Sequence, residues 1–218
     1  MISCAVFLIG FSTLAFEVLL TRIFSIGQWN HLSFMVISIA LFGFAASGTL
    51  LSILNARHAG RAHFLSARKS AATLILLYTS TTILSFIVLN NLPLDYFRLP
   101  VEPIQSVYLL IAFIVLALPF FFSGLIVAVA YTRLPEKTGW IYFATMCGSA
   151  CGAVFPALLL PVFGEGRLVI YSALIPLMLM PILLSRSIRN QPGARRQKSA
   201  GIALGFFSLV IILVAIYL

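Results

Sequence analysis

The sequence predicts an all-α membrane protein, a polytopic bundle of about seven transmembrane helices with transporter-like packing, in one domain over residues 1–218. Of the 218 residues, 61% are hydrophobic and only 9% are charged, and the mean hydropathy is +1.11. A water-soluble domain carries about 25% charged residues, because its surface must face water. This chain has too little polar surface for that, so we expect its surroundings to be a lipid bilayer.

Apolar stretches long enough to cross a bilayer recur along the whole chain. A hydrocarbon core about 30 Å thick is crossed by about 20 helical residues. We expect such spans at 2–20, 32–54, 71–89, 106–132, 140–163, 168–185 and 201–218. The first span has no Lys or Arg ahead of it and no small-residue cleavage site before Arg22, so it is expected to be retained and not removed as a signal peptide.

Basic residues alternate strongly between successive loops. The second, fourth and sixth loops together hold eleven of the 14 basic residues, and the first, third and fifth hold one each. Basic residues collect in cytoplasmic loops, so this pattern predicts a bacterial inner-membrane protein with a cytoplasmic N-terminus. Topology also accounts for the net charge of +9, and we expect no nucleic-acid partner.

One acidic residue, Glu17, lies inside the first predicted span. On a helix, Gly10, Leu14, Glu17 and Thr21 share one stripe, and the small Gly10 lets another backbone approach there. The stripe is therefore expected to face other helices. A charged acid at the bilayer centre costs about 2.5–3.5 kcal/mol on insertion scales, so Glu17 should be paired, protonated or close to water.

The candidate partners of Glu17 leave two interpretations open. Arg22 lies five residues further along the same helix, but a direct bond requires its side chain to curl back. Other spans offer His31, Tyr142 and Thr145. The site is either a structural polar clamp between helices or a binding site for a small cation or a proton.

Small residues mark the expected contacts between helices. The fifth span carries Gly148 and Gly152 at the spacing of a close helix contact, and the second carries Gly43 and Gly48. In the fourth span, "PFFFSG" combines a helix-kinking proline, three aromatic residues and a small pair. This segment, from Pro119 to Gly124, is the best hinge or pocket candidate outside the Glu17 face.

Recognisable catalytic or cofactor motifs are missing from the sequence. It has no nucleotide-binding loop, catalytic triad, HExxH motif or glycine-rich phosphate cradle, and its histidines lack metal-ligand spacing. Cys147 and Cys151 stand one helical turn apart, too far for a disulfide, and are expected to be packing residues. We expect no cofactor or metal, and the chain alone is an unconvincing enzyme.

Four stretches in order carry a resemblance that covers roughly residues 5–185. They are "GFSTLAFEVLLTRIFSI", "ALFGFAASGTLLS", "FFFSGLIVAVAYTR" and "IYFATMCGSACGAVFPALLLPVFG". Together they resemble the membrane domain of bacterial spermidine synthase-like proteins, in which a multispanning region precedes an aminopropyltransferase-type domain. That soluble domain has no counterpart here, so the resemblance implies either a fragment of such an enzyme or a stand-alone membrane subunit.

The sequence is compatible with three functions. The first is a non-catalytic membrane module that anchors or serves a partner enzyme or a larger membrane complex. The second is a transporter-like bundle that carries a small cation, such as a polyamine, along the Glu17 face. The third is a fragment of a membrane-bound aminopropyltransferase-like enzyme that lacks its catalytic domain. Besides the bilayer, we therefore expect a protein partner or a homo-oligomer, and in the second case a small cationic ligand.

The loop charges make the topology testable with reporter fusions. Because basic loops stay in the cytoplasm, fusions there should report as cytoplasmic, at Lys69, Lys137 and Lys198. Fusions in the opposite loops should report as periplasmic, at Asn30, Glu102 and Gly166. Two or more exchanged positions would contradict the seven-span arrangement.

Overall fold

The computed structural model describes residues 2–28, 33–57, 68–93 and 102–179, and within these ranges the chain is helical with no strand. The all-α class is therefore confirmed. The α-helices in these ranges are α1 (Ile2–Gln28), α2 (Ser33–Arg57), α3 (Arg68–Asn91), α4 (Pro103–Arg133), α5 (Thr138–Phe163) and α6 (Glu165–Leu174). Two 3-10 segments follow α4 and α6, at Pro135–Lys137 and Ile175–Leu179.

Five of these helices are long and apolar enough to cross a membrane, which indicates a multi-pass membrane protein. The spanning segments are Ser3–Ser25, Phe34–Leu54, Ala72–Asn91, Pro103–Arg133 and Pro135–Phe163. They coincide with the first five predicted spans. The predicted span 201–218 lies outside the described residues, so the count of seven stays a prediction.

The described part of the predicted span 168–185 is not one continuous α-helix. Gly164, with φ at 75°, turns the chain between α5 and α6. Helix α6 then runs for only 10 residues before the backbone tightens into a 3-10 segment that ends at Leu179. The residues beyond it lie outside the described ranges.

Helices α1 and α5 form the closest pair in the bundle, along a seam of small residues. A Cβ atom at Gly148 or Gly152 would overlap the backbone carbonyl of Phe7 or Phe11, respectively. On the other side of the seam, a Cβ at Gly10 would lie 2.9 Å from the Thr145 carbonyl oxygen. Since the residue numbers rise together along the contact, the two helices are parallel, and the glycines let their backbones touch.

Helices α2 and α4 repeat this arrangement. A Cβ at Gly43 would lie 2.8 Å from the Ala117 carbonyl oxygen, and one at Gly124 would lie 2.8 Å from the Phe44 ring. Gly43 thus faces α4 as a seam residue. Gly124, proposed as a hinge, is a packing position in this structure, and α4 continues unbroken from Pro119 to Arg133.

Gly48 does not share the role predicted for it. A Cβ built there meets nothing within 4 Å among the described residues, and the residue is exposed. The contact face of α2 carries Gly43 and Ser47, and Gly48 lies one position round the helix from Ser47. Adjacent residues on a helix are about 100° apart, so only one of the two can face α4.

Helix α1 lies at the centre of the bundle. It packs most extensively on α5 and also contacts α2, α4 and α6. Ile9, Ala15, Leu19 and Leu20 are completely buried, and the Phe16 ring lies 5.7 Å from the Phe120 ring of α4. The core of the described bundle therefore forms around α1.

The glycine seam can be tested against a matched glycine. Gly148→Leu or Gly152→Leu should force α1 and α5 apart and lower the free energy of unfolding by about 1–3 kcal/mol or more. Gly48→Leu adds the same side chain where space is open, and should leave stability within about 0.5 kcal/mol of wild type. Unfolding in detergent micelles measures both effects. Equal stability for the α5 and α2 variants would show that the seam is misplaced.

Candidate functional site

Glu17 lies in the outer half of α1, counted along the predicted topology, and its side chain is half-buried. The hydroxyl of Thr21 donates to the backbone carbonyl of Glu17, with 2.7 Å between the oxygens. Among the described residues, no hydrogen bond or ion pair reaches the Glu17 carboxylate. The stripe is therefore partly covered by protein, but the expected donor from another span is not seen in these ranges.

Arg22 pairs with a residue that the sequence did not single out. Its Nε atom lies 3.9 Å from Oε1 of Glu165, at the start of α6. The pair joins the end of α1 to the beginning of α6, which places the first and fifth loops on the same side, as predicted. An exposed pair of this length contributes at most about 1 kcal/mol. Arg22 makes no ion pair with the Glu17 carboxylate in the described ranges.

Tyr142 and Thr145 are not brought to Glu17. Tyr142 points outward from α5 with 58% of its surface exposed, and the Thr145 hydroxyl donates to the Ile141 carbonyl at 2.8 Å. Phe11 faces Gly152, so Glu17, six residues further on, is level with Leu158. The parallel register thus separates both candidates from the carboxylate. The fourth candidate, His31, lies outside the described residues.

Four buried hydroxyl side chains join α1 to three other helices. We call this group, Ser12, Thr13, Tyr78 and Ser123, the hydroxyl cluster. The Ser12 oxygen lies 2.7 Å from the Tyr78 oxygen, and Ser12 donates to the Ser172 carbonyl at 2.5 Å. The Thr13 and Ser123 oxygens are 2.6 Å apart, and Thr13 donates to the Ile9 carbonyl at 2.7 Å. Ser12 and Thr13 each donate their one hydroxyl hydrogen to a carbonyl. Tyr78 therefore donates to Ser12, and Ser123 donates to Thr13.

Pro176 explains why Ser12 is needed at this place. In an α-helix the N–H of residue 176 would donate to the Ser172 carbonyl, but proline has no N–H. The preceding residue, Ile175, still completes its bond to the Tyr171 carbonyl. Inside a membrane an unpaired carbonyl costs several kcal/mol, and neighbouring hydroxyls commonly satisfy it. Ser12 of α1 does so here.

The change from α-helix to 3-10 helix at Pro176 leaves a second carbonyl for another helix to satisfy. In a 3-10 segment each N–H donates three residues back, so the Leu177 N–H is directed to Leu174 and the Ala173 carbonyl is left without a backbone donor. The hydroxyl of Thr79, on α3, donates to that carbonyl at 3.1 Å. Two helices thus hold the broken end of α6 by its backbone, and this fixes α6 against α1 and α3.

The remaining buried hydroxyls return to their own helices. Thr82 donates to the Tyr78 carbonyl at 2.7 Å, and Ser85 donates to the Thr82 carbonyl at 2.9 Å. Ser172 and Ser47 make equivalent bonds, to the carbonyls of Val169 and Phe44. Each buried hydroxyl of the described bundle therefore has an acceptor, as burial in an apolar interior demands.

No group of three or more His, Cys, Asp or Glu side chains in the described residues is placed to hold a metal ion. Cys4, Cys147 and Cys151 are free thiols. No family model, curated protein or solved structure matches the chain. Geometry alone therefore distinguishes two features, the half-buried Glu17 and the saturated hydroxyl cluster.

A double-mutant cycle tests the link between Ser12 and Pro176. Ser12→Ala leaves the Ser172 carbonyl without a donor and should lower the free energy of unfolding by about 1–2 kcal/mol. Pro176→Ala supplies the missing N–H, so Ser12→Ala should cost less in that background, with a coupling of about 0.5 kcal/mol or more. Unfolding of the four proteins in micelles gives the coupling.

Ser38→Ala is the control for this cycle. Its hydroxyl is exposed and bonds within α2, to the Phe34 carbonyl at 3.2 Å. It should change stability little and show no coupling to Pro176→Ala. Additive effects of Ser12→Ala and Pro176→Ala would contradict the assigned role of Ser12.

Proposed function

We propose that this chain is a non-catalytic membrane module that anchors or serves a partner protein, either a separately encoded enzyme or a larger membrane complex. The observation that carries the proposal is the hydroxyl cluster, which ties α1 to α3, α4 and α6 by bonds to fixed acceptors. Such bonds stabilise one arrangement of the helices. A module of constant shape suits anchoring better than it suits carrying a solute.

The glycine seams support the same proposal. At Gly148 and Gly152 the backbones of α1 and α5 are in direct contact, and sliding one helix along the other would drive the neighbouring side chains into that contact. Packed interfaces of this kind do not deform continuously. A carrier needs helices that rock against one another around its substrate. We therefore infer that α1 and α5 stay packed together as one unit.

Helix α5 offers the bundle a broad exposed face, on which a partner or lipid can pack. Trp140 and Phe143 stack there with their ring centroids 5.4 Å apart. Further along the helix, Val154, Leu158 and Val162 are exposed. The sequence resemblance to spermidine synthase-like proteins makes an aminopropyltransferase-type enzyme the first partner to test. That enzyme would be a separate protein, or a domain of the same polypeptide if this chain is a fragment.

Glu17 favours a second candidate function, a site for a proton or a small cation. Its carboxylate lies within a membrane span, half-buried, with no partner among the described residues. Intramembrane acids commonly mark ion or proton pathways. A polyamine carries several positive charges, and a single acid matches them poorly, so a singly charged ion fits this carboxylate better.

Glu17→Gln separates the two functions. The amide keeps the size of the side chain and removes its charge, so a structural or anchoring role should leave folding and partner recovery within about twofold of wild type. A cation or proton role should leave folding intact but abolish flux into proteoliposomes. Crosslinking in native membranes followed by purification measures the first outcome, and ion flux measures the second. Recovery of no partner, together with flux that Glu17→Gln abolishes, would overturn the anchoring proposal.

Glu17→Leu tests whether the Glu17 carboxyl binds a group of a partner chain. If the carboxyl is bonded to a group of another chain, leucine leaves that group unpaired and partner recovery should fall well below the level of Glu17→Gln. Leu14→Ala, on the same stripe, removes apolar contact without touching the polar group and serves as the control. Equal partner recovery for Glu17→Leu and wild type would remove Glu17 from the partner surface.

A further inference from the structure

Arg133, the last residue of α4, has two nitrogens without a hydrogen-bond partner among the described residues. The residue is half-buried, and its Nε and Nη2 atoms are enclosed by protein without a hydrogen-bond partner in the part of the chain that the structure describes. These two nitrogens form one edge of the guanidinium, where parallel N–H groups match a carboxylate or a phosphate. The buried hydroxyls of the same bundle all have acceptors, so Arg133 departs from the rule that the rest of the interior follows.

An anion is the natural partner for the two enclosed nitrogens of Arg133. Arginine stays protonated at any ordinary pH, so it cannot escape the cost of burial by losing its charge. Removing an ion from water without a partner is unfavourable, and pairing it with an anion offsets much of that cost. Nearby, Glu136 is exposed and makes no ion pair with Arg133 within the described ranges. The next cation, Lys137, is exposed in the following 3-10 turn.

The position of Arg133 indicates which anion can reach it. The 31 residues of α4 extend about 46 Å at 1.5 Å per residue, longer than the hydrocarbon core of about 30 Å. A helix of this length centred in the bilayer extends past the hydrocarbon core at both ends, so we expect the end of α4 at the depth of the lipid headgroups. The residues around Arg133, Ala130 and Leu134, pack with Val6 of α1 and Ile141 of α5, so three helix ends meet there. Tyr131 and Trp140 are aromatic residues of the type that lies at the membrane interface.

We propose that Arg133 is a binding site for the phosphate of an anionic lipid headgroup, at the junction of α1, α4 and α5. In the bound state the half-buried side chain turns its Nε and Nη2 edge out of its present enclosure, and the phosphate oxygens accept from these two nitrogens. Lys137 is exposed in the following turn and lacks the paired donor edge, so it is not assigned to the site. The proposal is independent of the partner-anchoring function, because it concerns the opposite end of α1 from Glu17.

Lipid binding to the purified full chain tests the site. Phosphatidylglycerol added in detergent should raise the unfolding midpoint and remain bound in native mass spectrometry, whereas phosphatidylcholine should do so much less. Arg133→Gln should weaken phosphatidylglycerol binding about tenfold, since charged hydrogen bonds are lost. Arg133→Lys keeps the charge but removes the donor edge, and should also weaken binding. Lys137→Gln, the control, should bind within about twofold of wild type.

Each outcome decides the proposal. Equal losses for Arg133→Gln and Lys137→Gln would mean that only the general charge of this end attracts lipid, and would overturn the site. Binding by Arg133→Lys equal to wild type would overturn the role of the donor edge. Inorganic phosphate that stabilises the chain as much as phosphatidylglycerol would show a site for a soluble anion and would overturn the headgroup assignment. If Arg133→Gln destabilises the chain but binds the lipid normally, Arg133 is structural and the proposal is wrong.

Discussion

The bond from Ser12 to the Ser172 carbonyl governs the arrangement of the described bundle. Pro176 removes the donor that this carbonyl would have in a continuous helix, and a membrane interior offers no water to replace it. A hydroxyl from another helix must therefore stand beside the break. Ser12 does so, and its oxygen in turn accepts from Tyr78. One missing N–H thus fixes the positions of α1, α3 and α6 relative to one another.

Helix α1 combines two means of association on two faces. Toward α5 it packs by shape, since Gly10, Gly148 and Gly152 bring the backbones into contact. Toward α3, α4 and α6 it packs by hydrogen bonds: Ser12 accepts from Tyr78 and donates to the Ser172 carbonyl, and Thr13 accepts from Ser123. Apolar burial adds little to association between helices in lipid, so these two means carry the specificity. Glu17 lies on the same helix, beyond the hydroxyl cluster, where a group from outside the described bundle can still reach it.

The sequence determines the spans well, because crossing a bilayer requires long apolar runs that hydropathy records directly. It also locates Gly148 and Gly152, since their spacing repeats on one helix face. It does not tell which face meets a neighbour, so Gly43 and Gly48 look alike and only Gly43 packs against α4. The partner of Arg22 depends on where α6 begins in space, which no local pattern encodes. Pro176 indicates in the sequence that the carbonyl four residues earlier needs a donor from elsewhere. Which side chain supplies that donor depends on how the helices pack.

Helices α1 and α5 lie parallel in one register, with α1 at the centre of the bundle. Thiol crosslinking in native membranes tests this arrangement most directly, in a chain whose three native cysteines are replaced by alanine. The Phe11 and Phe155 rings lie 5.1 Å apart, so Phe11→Cys with Phe155→Cys should crosslink rapidly with a short reagent. Phe11→Cys with Phe143→Cys should not, because Phe143 is exposed and lies about three helical turns before Phe155. Crosslinking of the second pair in preference to the first would contradict the parallel register and the arrangement built on it.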